Sequence, residues 1–174
     1  MAHTMKGTNM KHAIAALAAI AGALALTAGQ AEANSVQIEG GGIVATDTET
    51  FLLTGRAGYI IDLGIGRWLF VAPEVEGSVG IFGSDNNFET DRTIGIFGRA
   101  GTRLNTRWSV HGRVGWQSLR VLEETPDFDI SRSNGTVAWG GGVTYHLDEN
   151  WGIRGDYTRS DGIGQVGLTV AYTF

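Results

Sequence analysis

The chain has 174 residues, enough for one domain of ordinary size. It carries no cysteine, a formal net charge of −5, and 27 glycines against two prolines. These totals exclude a disulfide scaffold, a basic nucleic-acid-binding surface and a collagen-like or disordered chain.

The N-terminus reads separately from the rest. Lys11 and His12 precede an Ala/Leu/Ile run over 13–28, and Ala31-Glu32-Ala33 supplies small residues at the spacing of a signal-peptidase site. The run is shorter than the about 20 apolar residues of a bilayer-spanning helix. A buried Ala-rich helix is the bland alternative. Residues 1–33 are expected to be a signal peptide with an upstream extension over 1–9, cleaved after Ala33. The domain is then 34–174, which holds no lysine, eleven arginines, seventeen acids and 24 glycines.

From residue 35 onward eight segments alternate at period two, the signature of strands with two unlike faces. The first, 35–44, sets Val36, Ile38, Gly40, Gly42 and Val44 against Gln37, Glu39 and Gly41. The polar link 46–50 leads to a second strand over 51–62, with Leu53, Ala57, Tyr59 and Ile61 opposite Thr54 and Arg56. After the short link 63–67, the strand 68–82 opposes Leu69, Val71, Val75 and Val79 to Glu74, Glu76 and Ser78. A polar loop over 83–91 follows. The fourth strand, 92–104, sets Ile94, Ile96 and Ala100 against Phe97, Arg99 and Arg103. A tight turn at Asn105-Thr106 opens the fifth, 107–121, with Trp108, Val110, Val114 and Trp116 opposite Ser109, His111, Arg113 and Gln117. The longest link is expected over 122–134, where the alternation of Asp127-Phe128-Asp129-Ile130 suggests strands running past a rim. The sixth strand, 135–147, the seventh, 150–159, and the eighth, 163–174, complete the set, joined by turns at 148–150 and 160–162.

Alternation does not say which face points inward; a soluble lipocalin-like barrel would bury the apolar one. Three features favour lipid on that face. Tyr59, Trp108, Tyr145, Trp151, Tyr172 and Phe174 all flank the short turns, as an interfacial aromatic girdle does, and Phe51, Trp116 and Tyr157 form a looser set at the other end. The opposite face carries Glu39, Arg56, Glu74, Glu76, Arg99, Arg103, Arg113, Arg154 and Asp156 in mid-strand. An eight-stranded barrel is only just wide enough for side chains, so these charges are expected to pair and fill its lumen. Third, the export signal agrees with strands long enough, at about 9–11 residues, to span a bilayer at a tilt. The expectation is an all-β, eight-stranded antiparallel transmembrane barrel with long links outside and short turns in the periplasm.

The stretch 134–159 (NGTVAWGGGVTYHLDENWGIRGDYTR) resembles the penultimate hairpin of the small outer-membrane β-barrel, or opacity-type surface protein, family. Arg56-Ala57-Gly58-Tyr59 resembles its Arg-x-Gly-Tyr element, and the ending 170–174 its terminal Tyr-x-Phe. The resemblance implies an outer-membrane location in a Gram-negative-type cell, with membrane lipid and lipopolysaccharide around the barrel. It also implies that Tyr172 and Phe174 are the assembly signal read by the barrel assembly machinery.

Catalytic and metal signals are thin. Ser109 and His111 make a formal nucleophile–base pair on one face. Barrel-type lipid A deacylases carry a His-x-Ser pair, where this chain reads His146-Leu147-Asp148. His111 and His146 are expected to face each other across the fifth and sixth strands, a structural pair without a third metal ligand. The expected role is therefore non-enzymatic, without cofactor or metal: a monomer, structural or surface-interactive. Asp47, Glu49, Asp85, Glu89, Asp91, Glu123, Glu124, Asp127 and Asp129 make its outer loops acidic. A narrow passive pore and a soluble periplasmic barrel are the alternatives.

Overall fold

A computed structural model describes residues 34–64, 68–82, 88–125 and 128–174, with 82, 88–91, 120–125 and 128–134 described as backbone only. The expected signal peptide lies outside the described residues. Eight strands follow in order: β1 (Asn34–Ala45), β2 (Thr50–Asp62), β3 (Leu69–Phe82), β4 (Phe88–Arg103), β5 (Trp108–Thr125), β6 (Phe128–His146), β7 (Trp151–Ser160) and β8 (Ile163–Thr173). Each pairs antiparallel with its neighbour, and β8 returns to β1 from Gln37↔Thr173 to Ala45↔Gln165, closing the barrel. Closure leaves no sheet edge within the barrel wall, the condition for a strand structure to sit in hydrocarbon.

The two faces separate as the alternation requires, and their sense is the reverse of a soluble protein. Among the described residues, ten apolar side chains are buried and twenty-one polar or charged ones are. The apolar set turns outward instead: Ile94 and Leu168 are each 64% exposed, and Val114, Val137 and Trp139 each 57%. A surface of Ile, Leu, Val and Trp around a charged interior is stable against acyl chains and unstable in water. The soluble periplasmic barrel is thereby overturned.

The β4–β5 and β6–β7 turns share a local device. Asn105 Oδ1 accepts from the backbone N–H groups of Arg107 and Trp108, each at 2.8 Å. Asp148 Oδ1 does the same for Asn150 at 2.8 Å and Trp151 at 2.7 Å. An Asx side chain thus satisfies the donors of the turn and delivers a tryptophan to the start of the next strand. At the opposite end, β7 and β8 are joined by Asp161-Gly162, both at positive φ (51° and 83°). This is the two-residue pattern whose twist matches a hairpin, and glycine adopts the second position without strain.

The long links differ from expectation. β4 starts at Phe88 and not at Arg92, which shortens its preceding link to 83–87. The stretch 122–134, expected as the longest link, is mostly strand, as the alternation at 127–130 suggested: β5 and β6 stay in register to Thr125↔Phe128, leaving a two-residue connection. Above the membrane a strand has no lipid face, so little in 122–134 beyond the alternation at 127–130 marks it as strand while backbone pairing continues.

Candidate functional site

The lumen holds one connected set of ions. Alternation points Glu39 inward from β1, Arg56 from β2, Glu74 and Glu76 from β3, Arg99 from β4, Arg113 from β5, and Arg154 and Asp156 from β7. Every one of these side chains is 3% exposed or less. β6 instead places Gly140 and Gly142 on the inner face, leaving room for long side chains from opposite walls.

Arg56 is the hub. Its Nε donates to Glu76 Oε2 at 2.6 Å, its Nη1 reaches Glu39 Oε2 at 3.5 Å, and both Nη atoms engage Asp156, Nη2 meeting Oδ1 at 3.1 Å. Arg154 forms the second fork. Its Nη1 donates to Glu39 Oε1 at 2.9 Å and to Glu74 Oε1 at 2.7 Å, and its Nε lies 3.1 Å from Asp156 Oδ2. Arg99 contacts Glu74 at 3.2 Å and donates to Gln37 Oε1 at 2.7 Å. Arg113 donates to Glu76 Oε2 at 2.8 Å and lies over the Phe97 ring, 3.6 Å from its centroid. Thr169 and Gln117 add donors to Glu39 and Glu76.

Four guanidiniums against four carboxylates leave this set with no net charge. A buried ion is costly alone, and its lone pairs or protons must also find partners. Register explains one unfavourable feature: Arg99 and Arg113 are direct cross-strand partners. Like charges so placed repel. Here each guanidinium reaches a different β3 carboxylate, Glu74 or Glu76, and Phe97 takes the face of Arg113.

The ends of the lumen differ. Toward the outer links, Ile43, Ala45 and Leu52 form an apolar cluster against Ile163. Toward the short turns, Ser109 Oγ meets His146 Nε2 at 3.2 Å. Ser109 thus meets His146 and not His111, its formal partner two residues along the same strand face. His111 has Gly142 opposite it, so the two histidines do not face each other across β5 and β6. Neither ring nitrogen of buried His111 has a hydrogen-bond partner among the described residues. No group of three metal-ligating side chains occurs among them either.

Arg103 departs from the expected network. It is exposed at the short-turn rim, where its backbone N–H donates to Trp68 O at 2.8 Å. The girdle residues gather at that rim: Trp108 stacks near Tyr145, Trp151 near Tyr172, and Tyr172 near Phe174, all with centroids 4.8 Å apart. Tyr59 lies beside them through its register with Val36, whose carbonyl accepts from Phe174 N–H at 2.9 Å. Trp68, 47% exposed, belongs to this rim and was missed; its position after the β2–β3 link, matching Trp108 and Trp151, is the signal that finds it.

Of the outer acids, Asp47 and Glu49 are exposed. Asp47 Oδ2 accepts from Gly164 N–H at 2.7 Å and from the Thr46 hydroxyl at 3.3 Å, which fastens the β1–β2 link to the start of β8. The side chains of Asp85, Glu89, Asp91, Glu123, Glu124, Asp127 and Asp129 lie outside the described set. A groove of about 730 Å³ opens on the outer wall, bounded by Phe51, Gly141, Val143, Tyr157 and Leu168. It faces acyl chains, not the lumen.

Structural comparison finds the same architecture elsewhere. The Ail attachment invasion locus protein of Yersinia pestis aligns over 81% of this chain and 97% of its own, at 16% identity and a TM-score of 0.57. The N-terminal β-barrel domain of Pseudomonas aeruginosa OprF aligns over 80% and 97%, at 16% identity and a TM-score of 0.59. A designed transmembrane β-barrel aligns over 83% and 98%, at 13% identity and a TM-score of 0.54. At such identities the likeness concerns the fold. No curated protein matches by sequence. The family model for the outer membrane protein beta-barrel domain matches residues 13–174, and this chain is a member of that family, an outer-membrane protein.

Proposed function

We propose that the protein is a closed, non-enzymatic outer-membrane barrel whose work is done at the cell surface and in the membrane itself, not through its lumen. The observation that carries this reading is the neutral ion set of Arg56, Arg99, Arg113 and Arg154 with Glu39, Glu74, Glu76 and Asp156, crossing the lumen from six strands. With the apolar cluster of Ile43, Ala45 and Leu52 above it, the set leaves permeant ions a path blocked by charge pairs on one side and greasy contacts on the other. Ser109 and His146 make a polar contact with no third group to orient the base among the described residues, which supports a structural use of both.

Its partners on this reading are lipopolysaccharide and lipid along the wall, the assembly machinery at Tyr172 and Phe174, and surface molecules at the outer end, with the barrel acting as a monomer. Asp47 serves the fold, so divalent bridging to lipopolysaccharide would fall to the other outer acids; chelator-insensitive association would refute that part. Planar-bilayer recording tests the main reading. The purified barrel is expected to show no unitary openings, and discrete openings would establish a pore instead.

A further inference from the structure

β6 is paired on both sides only along its lower half. β5 accompanies it to Thr125↔Phe128, whereas β7 begins at Ala138↔Ser160. Along Phe128–Val137, no described strand lies on the β7 side. At about 3.3 Å per residue this is roughly 30 Å of open sheet edge, standing above the Trp116, Trp139 and Tyr157 level of the outer wall.

The polarity of that edge can be read from the ladder. His146 N–H donates toward β5 at Arg107 O, the residue before that strand, while the next residue, Leu147, donates toward β7 at Trp151 O. Antiparallel pairing alternates strictly, and the β5–β6 register is unbroken. Even-numbered residues of β6 therefore bond β5. Asp129, Ser131, Ser133 and Gly135 turn their N–H and C=O groups outward. Edges of this length are normally shortened, bulged or covered, because they template a further strand.

We infer that this edge binds an extended polypeptide segment of another protein by strand addition, running antiparallel to β6. Resting on the surface reading above, it names the partner class. A second copy in the same membrane does not fit: its β6 would run parallel, with the outward rungs of both strands at the same height, N–H against N–H. Recognition is by main chain, so the partner is defined by extension and a free edge of its own, not by charge; Phe128–Val137 itself holds one acid and one arginine.

The test exploits the same alternation. The folded barrel in lipid nanodiscs is titrated with a fluorescein-labelled nonapeptide of alternating threonine and valine, with arginine at each end, and anisotropy is read. Wild type and the Ser131→Ala/Ser133→Ala variant, which keeps both N–H groups, are expected to bind alike. Ser131→Pro/Ser133→Pro removes two outward donors and no β5 bond, so binding weakens about tenfold or more. Hydrogen exchange on wild type supplies a second readout: the peptide slows exchange at Ser131 and Ser133 and leaves Ile130 and Arg132 unchanged. This second readout decides the matter if the proline variant does not fold. No binding to wild type, equal binding to the proline variant, or no protection at Ser131 and Ser133 would overturn the inference. Channel openings in the bilayer would instead overturn the surface reading, whatever the peptide does.

Discussion

Arg56 sits where three carboxylates converge, and its partners come from β1, β3 and β7. Removing it leaves buried negative charge with too few cations, so Arg56→Ala is expected to cost about 3–5 kcal/mol in urea unfolding of the lipid-embedded barrel. Replacing Arg56 by Met and Asp156 by Leu together should cost less than the sum of the single changes, with a coupling of about 0.5–3 kcal/mol. Additive losses would show that the two residues do not form a unit. Arg103 is the contrasting case. Exposed at the rim, it should tolerate Arg103→Ala within about 0.5 kcal/mol. Its misplacement has a simple cause: period-two alternation continues past the height at which the lumen ends, so the pattern alone does not distinguish a lumenal arginine from a rim one. Which acid meets which arginine was not legible either. Arg56 and Asp156 are 100 residues apart and meet across the barrel, a relation fixed by strand tilt and register.

At the scale of the strand, sequence and structure agree wherever the wall has two different solvents. β7 and β8 read directly, because Ile153, Tyr157, Val166 and Leu168 alternate with Arg154, Asp156, Thr158 and Thr169. The upper halves of β5 and β6 showed only through the alternation at 127–130, because the polar sequence around it carries no apolar stripe to mark a strand. The sense of the faces is tested by Leu168→Arg, expected to cost about 2–4 kcal/mol in refolding into vesicles for a site deep in the acyl region. A neutral result would put that face elsewhere than in lipid. The end of β8 carries a separate expectation. Deleting Phe174 removes an aromatic contact and one backbone bond to Val36, and should lower outer-membrane levels more than it lowers unfolding stability. Normal levels in cell fractionation would count against an assembly signal there.

For the whole molecule, the fold, the aromatic rim and most of the inward charges followed from the chain; the closure of the lumen followed from geometry. Eight inward ions balance to zero and interlock, an arrangement that composition hinted at only through a lysine-free domain rich in arginine and acid. The most direct test is planar-bilayer conductance, recorded for wild type and for a variant carrying Arg56→Ala, Glu76→Ala and Asp156→Ala together with Ile43→Gly and Leu52→Gly, which open the apolar cluster above them. The account predicts a silent wild type and an ion-conducting variant, since the substitutions clear the hub of the network. Unitary openings from the wild-type barrel would contradict it.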